Sequence, residues 1–245
     1  MTDRIPAVTP EQMAAVDRLM DEHYGVAPVQ LMEVAGLAVA TFSRALLPGN
    51  TAAGSRITVL AGTGGNGGDA LVAARFLHGW GAAVTIVLSR HPDNYQGLTE
   101  AHLDTVGQLE IPVLAGETLT ELPAADLVID GLLGFSTTGA PRGTAASLIR
   151  LANAMDTTRL AIDVPSGLNA ATGRAFDPCL QADATLTLAL PKTGLVMSIA
   201  QPWTGSLFVT DIGVPAAAYQ AVGVDVPATL FAWRTVLAIA PGDDG

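Results

Sequence analysis

"ITVLAGTGGNGGDALVAARFL", Ile57 to Leu77, decides how the chain is read. A short apolar run rich in β-branched residues is followed by Gly62, Gly64, Gly65, Gly67 and Gly68, with Asn66 and Asp69 among them. Apolar residues then recur at helical spacing as far as Gly81. The order is strand, tight turn, helix. Glycines here either let elements pack closely or let a ligand approach backbone N–H groups at a helix start, where an anion is favoured. "GTGGNG" fits G-x-G-x-x-G, a weak signal alone. The acidic ribose partner expected after the second strand is missing, since Ser89 and Arg90 come first and Asp93 only later. No Lys-Ser or Lys-Thr follows the glycines, which speaks against a P-loop.

Outward from this stretch the pattern repeats. Strands are predicted over Arg56–Gly62, Ala82–Ser89, Ile111–Ala115, Ala125–Leu133, Arg159–Gly167, Ala182–Pro191 and Gly205–Pro215. Helices are predicted over Asp69–Gly81, Tyr95–Leu109 and Gly143–Met155, and two more precede the first strand, Thr9–Tyr24 and Ala27–Leu47. Thr9 suits an N-cap and Pro10 the first helical position. Continuous apolar strands alternating with amphipathic helices imply a parallel sheet covered on both faces. The expected fold is α/β, a three-layer αβα Rossmann-like arrangement with two N-terminal helices packed on it, as one domain over residues 1–245.

Ligands in such folds bind at the carboxyl ends of the strands. Four predicted strand ends carry polar groups: Gly62–Ala70, Asp130–Gly143, Asp163–Gly167 and Leu190–Gly194. Asp130 and Asp163 stand in otherwise apolar strands, where a carboxylate is costly unless it is paired or at the mouth. They read as an acid/base pair, a cation site or ligand-hydroxyl binders, or else as turn carboxylates. Ser166 adds a hydroxyl. Lys192 follows an apolar strand and is either functional or an exposed turn lysine.

Composition narrows the classes. The 245 residues are 49% hydrophobic and 14% charged, enough for a sizeable core and unlike a disordered chain. A net charge of −11 argues against a nucleic-acid surface. The single cysteine, Cys179, allows no internal disulfide and reads as a small buried residue. No apolar signal segment and no uninterrupted apolar run of about 18 residues is visible, so a cytoplasmic protein without a membrane span is expected. His23, His78, His91 and His102 show no metal spacing and read as surface or helix residues. Trp80, Trp203 and Trp233 read as packing anchors.

Taken together, five segments in order resemble the NAD(P)H-hydrate epimerase family: "LMEVAG" (Leu31–Gly36), "GTGGNGGDALVAARFL" (Gly62–Leu77), "VIDGLLGFSTTG" (Val128–Gly139), "AIDVPSGLNAATG" (Ala161–Gly173) and "LTLALPKTGL" (Leu186–Leu195). The resemblance implies interconversion of the R and S forms of hydrated NADH or NADPH at C6 of the nicotinamide ring. It implies a potassium ion (K+) on Asn66, Asp130 and Ser166, and hard cations favour such oxygen ligands. It also implies contacts to the hydrated dinucleotide from Gly65, Asn66, Gly67, Gly68 and Asp69, from Gly134, Phe135, Ser136, Thr137, Thr138, Gly139 and Ala140, and from Asp163. Asp69 alternatively caps the helix that follows. Asp130 is the first choice for acid/base chemistry, assisted by Lys192 or Asp163. Family members pair through their N-terminal helices, so a homodimer is expected. The chain ends without a fused dehydratase domain, so a separate S-specific ATP- or ADP-dependent dehydratase is the expected partner, with no nucleic acid and no membrane involved.

Three positions depart from the family pattern. Gly65 stands for an asparagine, Ala70 for a glycine, and Thr138 where some relatives have lysine. A non-catalytic nucleotide-binding module of the same fold is therefore the alternative. An NAD-dependent dehydrogenase would need a substrate base and a ribose-binding acid, and neither is evident.

Overall fold

The computed structural model describes residues 5–240; residues 1–4 and 241–245, the ends of the expected domain, lie outside the described residues. Eight strands form one sheet: β1 (Arg56–Ala61), β2 (Ala83–Leu88), β3 (Val113–Ala115), β4 (Leu127–Gly131), β5 (Thr158–Ile162), β6 (Ala184–Leu188), β7 (Ser206–Thr210) and β8 (Val236–Ala238). Their order is β3-β2-β1-β4-β5-β6-β7-β8. All neighbouring pairs are parallel except β7 and β8, which run antiparallel. The helices are α1 (Pro10–Glu22), α2 (Pro28–Leu46), α3 (Gly65–Gly79), α4 (Gly97–Gln108), α5 (Gly143–Asn153), α6 (Gln201–Thr204) and α7 (Ala216–Ala221).

Alternation along the strands builds two cores. On one face Ile57, Val59, Ala61, Ile86 and Ile129 pack with Val39 of α2 and Leu71 and Leu77 of α3. On the other, Leu60, Val87, Val128 and Ala161 meet Leu148, Ile149 and Ala152 of α5. Each such fully buried leucine contributes about 2 kcal/mol of transfer free energy. Burial on both faces explains why these strands read as unbroken apolar runs.

Of the N-terminal helices, α1 packs with Ala189, Leu190 and Ile212 beyond the carboxyl ends of the strands, and α2 packs on the α3 face of the sheet. Thr9 Oγ1 accepts the Gln12 N–H at 3.2 Å and Gln12 Oε1 accepts the Thr9 N–H at 2.9 Å, a reciprocal cap with Pro10 at the first position. Met13, Val16 and Met20 of α1 then pack with Ala218 and Tyr219 of α7. Helix α2 is, by length and composition, apolar enough to cross a membrane, with mean hydropathy 1.2, which the sequence reading did not anticipate. Here it is the neighbour of α3 in one layer. Gly36 brings the two helices together, because a Cβ there would stand 2.4 Å from Val72 Cβ.

Three expectations need correction. Helix α3 starts at Gly65, not Asp69, so Asn66, Gly67 and Gly68 lie in its first turn. Glycine disfavours a helix locally, but tertiary packing overrides that propensity here. The edge strand β8 was not expected; three residues carry too little period-2 signal. Trp233 is 95% exposed and anchors none of the described residues, whereas Trp80 packs on Phe76 and under Arg44.

Candidate active site

The strand order reverses at β1 and β4, and there the sheet opens. The Gly62 N–H donates to Gly131 O at 3.0 Å, tying the two mouths together. Above them lies a cleft of about 450 Å³. It is walled by Met13 and Asp17 of α1, Leu31 and Met32 of α2, Thr63 to Asn66 and Asp69, Leu132 to Thr137, and Asp163, Ala189 and Lys192. This is the switch-point position where doubly wound sheets bind ligands. A larger hollow of about 610 Å³ lies beside β7 and β8, but the one carboxylate among its described lining residues, Asp183, is already held by Arg159.

The glycines of the turn divide into two kinds. A Cβ on Gly64 or Gly65 would meet nothing within 4 Å, so these residues open onto the cleft. A Cβ on Gly67 would stand 1.8 Å from Gly62 O, and one on Gly68 2.4 Å from Met32 Sδ. Gly67 and Gly68 therefore serve packing and do not line the cleft. Close approach to a ligand is open only to the first pair. Gly64 is the N-cap of α3, so the first N–H groups of the helix point at the cleft, an arrangement that favours an anion. Asp69 does not cap the helix; it lies in the second turn, 8% exposed.

Asn66, Asp130 and Ser166 come together beneath the cleft. Ser166 Oγ donates to Asp130 Oδ1 at 2.7 Å, and the Ser166 N–H donates to Oδ2 at 2.8 Å. The Leu132 N–H reaches Oδ1 at 3.1 Å, and the Leu133 N–H reaches Ser166 Oγ at 2.9 Å. Asn66 Nδ2 donates to Leu133 O at 3.0 Å and Ile162 O at 2.9 Å. The cluster joins α3 to the ends of β4 and β5. Burial pushes the Asp130 carboxyl up to about 6, opposed by its hydrogen bonds from Ser166 and Leu132. Asp130 is fully buried and does not line the cleft. Direct proton transfer from Asp130 to a ligand in the cleft is therefore not what this geometry offers, because both oxygens are engaged below its floor.

Asp163 and Lys192 form the charged floor. The Lys192 ammonium is 1% exposed and donates to Asp163 Oδ1 and, at 3.0 Å, to Leu188 O. The same Oδ1 accepts from Thr187 Oγ1 and the Leu188 N–H, both at 3.1 Å. Lys192 is thus a buried partner, not an exposed turn lysine. Asp163 (φ +63°) and Ala189 (φ +66°) both lie in the left-handed region, and both line the cleft. Non-glycine residues held there cost about 1–3 kcal/mol and cluster at functional sites. The ring of Phe135 lies 5.3 Å from Lys192 Nζ.

The expected loop is split. Gly134, Phe135, Ser136 and Thr137 line the cleft, whereas Thr138, Gly139 and Ala140 are exposed and stand outside it. Cys179 is buried, with its thiol pushed up to about 12 by burial and then by Asp130. The sequence reading missed Asp17. Its signal was a carboxylate four residues after Met13 and beside Val16, on the buried side of α1. Burial pushes Asp17 up to about 6, Lys192 pulls it down and Asp163 pushes it up again.

Fold and cleft define a Rossmann-like α/β protein with a ligand cleft at its switch point. Residues 28–194 match the family described as YjeF-related protein N-terminus. An NAD(P)H-hydrate epimerase of Dehalogenimonas lykanthroporepellens is 40% identical over 225 residues, covering 90% of this chain and 87% of that protein. One of Limosilactobacillus fermentum is 38% identical, covering 84% of this chain and 96% of that protein. The chain belongs to this YjeF-related, NAD(P)H-hydrate epimerase family. A bifunctional NAD(P)H-hydrate repair enzyme Nnr of Moorella thermoacetica is 39% identical, and there the chain spans 40% of the relative's length. The crystal structure of yeast ynu0, YNL200c, superposes with a TM-score of 0.79 at 23% identity, covering 96% of this chain and all of that one, which supports the fold.

Proposed function

We propose that this protein interconverts the R and S forms of hydrated NADH and NADPH at C6 of the nicotinamide ring. The observation that carries the reading is one cleft that joins the open N-terminus of α3 to the buried Asp163–Lys192 pair. Relatives matched over most of their length are called NAD(P)H-hydrate epimerase. The pyrophosphate takes the N–H groups at Gly65 and Asn66. The hydrated ring takes the Asp163–Lys192 end, under Phe135. The ring nitrogen's lone pair expels the C6 hydroxyl as water once an acid protonates it. Water re-adds from the other face while a base takes its proton. The apolar walls, Leu31, Met32 and Leu132, keep other water away from the cation formed between the two steps.

Asn66, Asp130 and Ser166 carry the oxygen donors a potassium ion takes: the Asp130 carboxylate and Ser166 hydroxyl meet, and the Asn66 amide is held nearby by its Nδ2 on the Leu133 and Ile162 carbonyls. A bound cation would offset the charge of buried Asp130. Asp130 acts in this reading by holding the ends of β4 and β5 in register. We propose the residues 1–245 as a single such domain, cytoplasmic, working with a separate S-specific ATP- or ADP-dependent dehydratase. The half-exposed Val34 and Leu37 of α2 are the face through which a homodimer would form.

The test starts from the purified R epimer of hydrated NADH in potassium buffer, with the R-to-S ratio followed by chromatography against an enzyme-free blank. Relaxation well above the blank is expected. Gly65 favours the second reading, binding without turnover, because it leaves the cleft rim without a family side chain. Dinucleotide binding with no relaxation above the blank would decide for that reading.

A further inference from the structure

We propose that Asp17 of α1, which lies outside every strand mouth, is an acid/base group for the hydrated ring and works with Asp69 as a pair that shares one proton. This rests on the epimerase reading above. Val8 pairs with Lys192 as an isolated parallel bridge, the Val8 N–H donating to Pro191 O and the Thr193 N–H to Val8 O, both at 2.9 Å. That pairing fixes the start of α1 beside Lys192 and turns Asp17 into the cleft, which Asp69 enters from α3. Neither carboxylate has a hydrogen bond or ion pair to any described residue, and Asp69 is 92% buried, from its 8% exposure. A buried carboxylate without a partner, aimed into a cleft, is costly unless a ligand or a proton satisfies it.

The charges around the pair point the same way. Lys192 is the cation of the cleft and is already held by Asp163 and Leu188 O. Asp17 otherwise faces Asp163, Asp69, its own neighbour Arg18 and, from α7, buried Tyr219. Asp69 faces Asp163, Asp17 and Lys192. Two further carboxylates in this space cannot both ionise cheaply, so one proton is retained between them. Burial raises both, Asp17 to about 6 and Asp69 well above the usual carboxylate range.

A shared proton suits an epimerase, which must accept either epimer. The protonated member gives its proton to the C6 hydroxyl, the C6–O bond breaks, and the ring nitrogen's lone pair becomes the N1=C6 bond. Water adds to C6 from the opposite face, the N1=C6 pair returns to nitrogen, and the proton of the adding water passes to the ionised member. Proton and water are both returned, and nothing is oxidised or reduced. The pair then stands ready for the reverse direction with its proton on the other carboxylate.

The test compares wild type, Asp17→Asn and Asp17→Glu for R-to-S conversion of hydrated NADH across pH 5–9, after the wild type has been shown to turn over. Asp17→Asn should lower kcat about 100-fold or more with KM within about threefold, and should lose one limb of the pH profile. Asp17→Glu should recover part of kcat. An Asp17→Asn enzyme with kcat within about threefold and an unchanged profile overturns the proposal, as does a loss confined to KM. A wild type without turnover would sink the epimerase reading instead, and the pair is then decided without substrate. Carbon-13 carboxyl titration by NMR should show the Asp69 midpoint falling by about one pH unit in Asp17→Asn. An unmoved midpoint overturns the shared proton.

Discussion

Asp163 holds Lys192 in a buried ion pair while its own backbone sits at φ +63°, so one residue carries both the charge contact and the strain of the cleft floor. Breaking one side leaves an uncompensated buried charge. Lys192→Met is expected to destabilise by about 3–5 kcal/mol and to remove turnover. Asp163→Asn should cost a similar amount, and the double variant less than the sum, because the two residues share one interaction. Urea unfolding of the three variants checks this; strict additivity would show that the pair is not coupled.

The glycines of α2 and α3 make opposite predictions. Gly67→Ala drives a Cβ into the Gly62 carbonyl, and Gly36→Ala drives one into Val72. Overpacking of this kind costs about 1–3 kcal/mol, more where backbone must move, so Gly67→Ala should be the worse. Gly65→Ala meets open space and gains up to about 1 kcal/mol of helix propensity. Thermal unfolding should therefore rank Gly65→Ala above wild type, then Gly36→Ala, then Gly67→Ala.

Gly65→Asn carries a functional prediction. The side chain has room at the cleft rim, so the variant should fold as well as wild type and bind hydrated dinucleotide more tightly. A titration showing weaker binding would mean that the open rim is itself what the ligand needs.

Stability should depend on pH and potassium together. The folded-state value of Asp130 is raised to about 6 from an ordinary 3.8, so the native state binds the extra proton between these values. This group's contribution is therefore present at low pH and is lost as pH rises through the folded value. An ion at Asn66, Asp130 and Ser166 would restore it where the carboxylate is charged. Tm in potassium chloride, against tetramethylammonium chloride of equal ionic strength, should rise more at pH 7.5 than at pH 5. No potassium-specific rise at either pH would mean that these residues hold no potassium ion.

Cys179 should be inert in the folded protein. With its thiol pushed up to about 12 and its side chain buried, almost no thiolate exists at pH 8. A thiol reagent should react only after urea unfolding; prompt reaction of the folded protein would contradict the placement.

Much of this was legible in the residues. Apolar strands broken by helical periods dictated the parallel sheet, and the polar strand ends located the cleft, because an otherwise apolar strand such as LVIDG carries a carboxylate only where it is paired or at the mouth. Asp163 and Lys192 were found this way. Other features depend on tertiary distance, which no local pattern records. Gly67 and Gly68 look like Gly64 and Gly65 in sequence, and only the neighbours they touch separate packing glycines from open ones. Asp130 and Asp163 look alike in sequence, yet Asp130 lies within β4 beside Ala161 and faces Ser166 below the floor, whereas Asp163 follows the end of β5 and faces Lys192 within the cleft. Asp17 escaped because it belongs to a helix whose amphipathic pattern explained every neighbour, and its role depends on how α1 docks through Val8.

The most direct measurement is inversion at C6 in oxygen-18 water. The R epimer of hydrated NADH is incubated with the protein in labelled potassium buffer, and the S product is separated and weighed by mass spectrometry. Inversion well above the blank is expected, with one solvent oxygen in each inverted molecule. Inversion no faster than the blank, for the NADPH form too, would contradict the epimerase, and inversion that kept the original oxygen would contradict loss and return of water in this cleft.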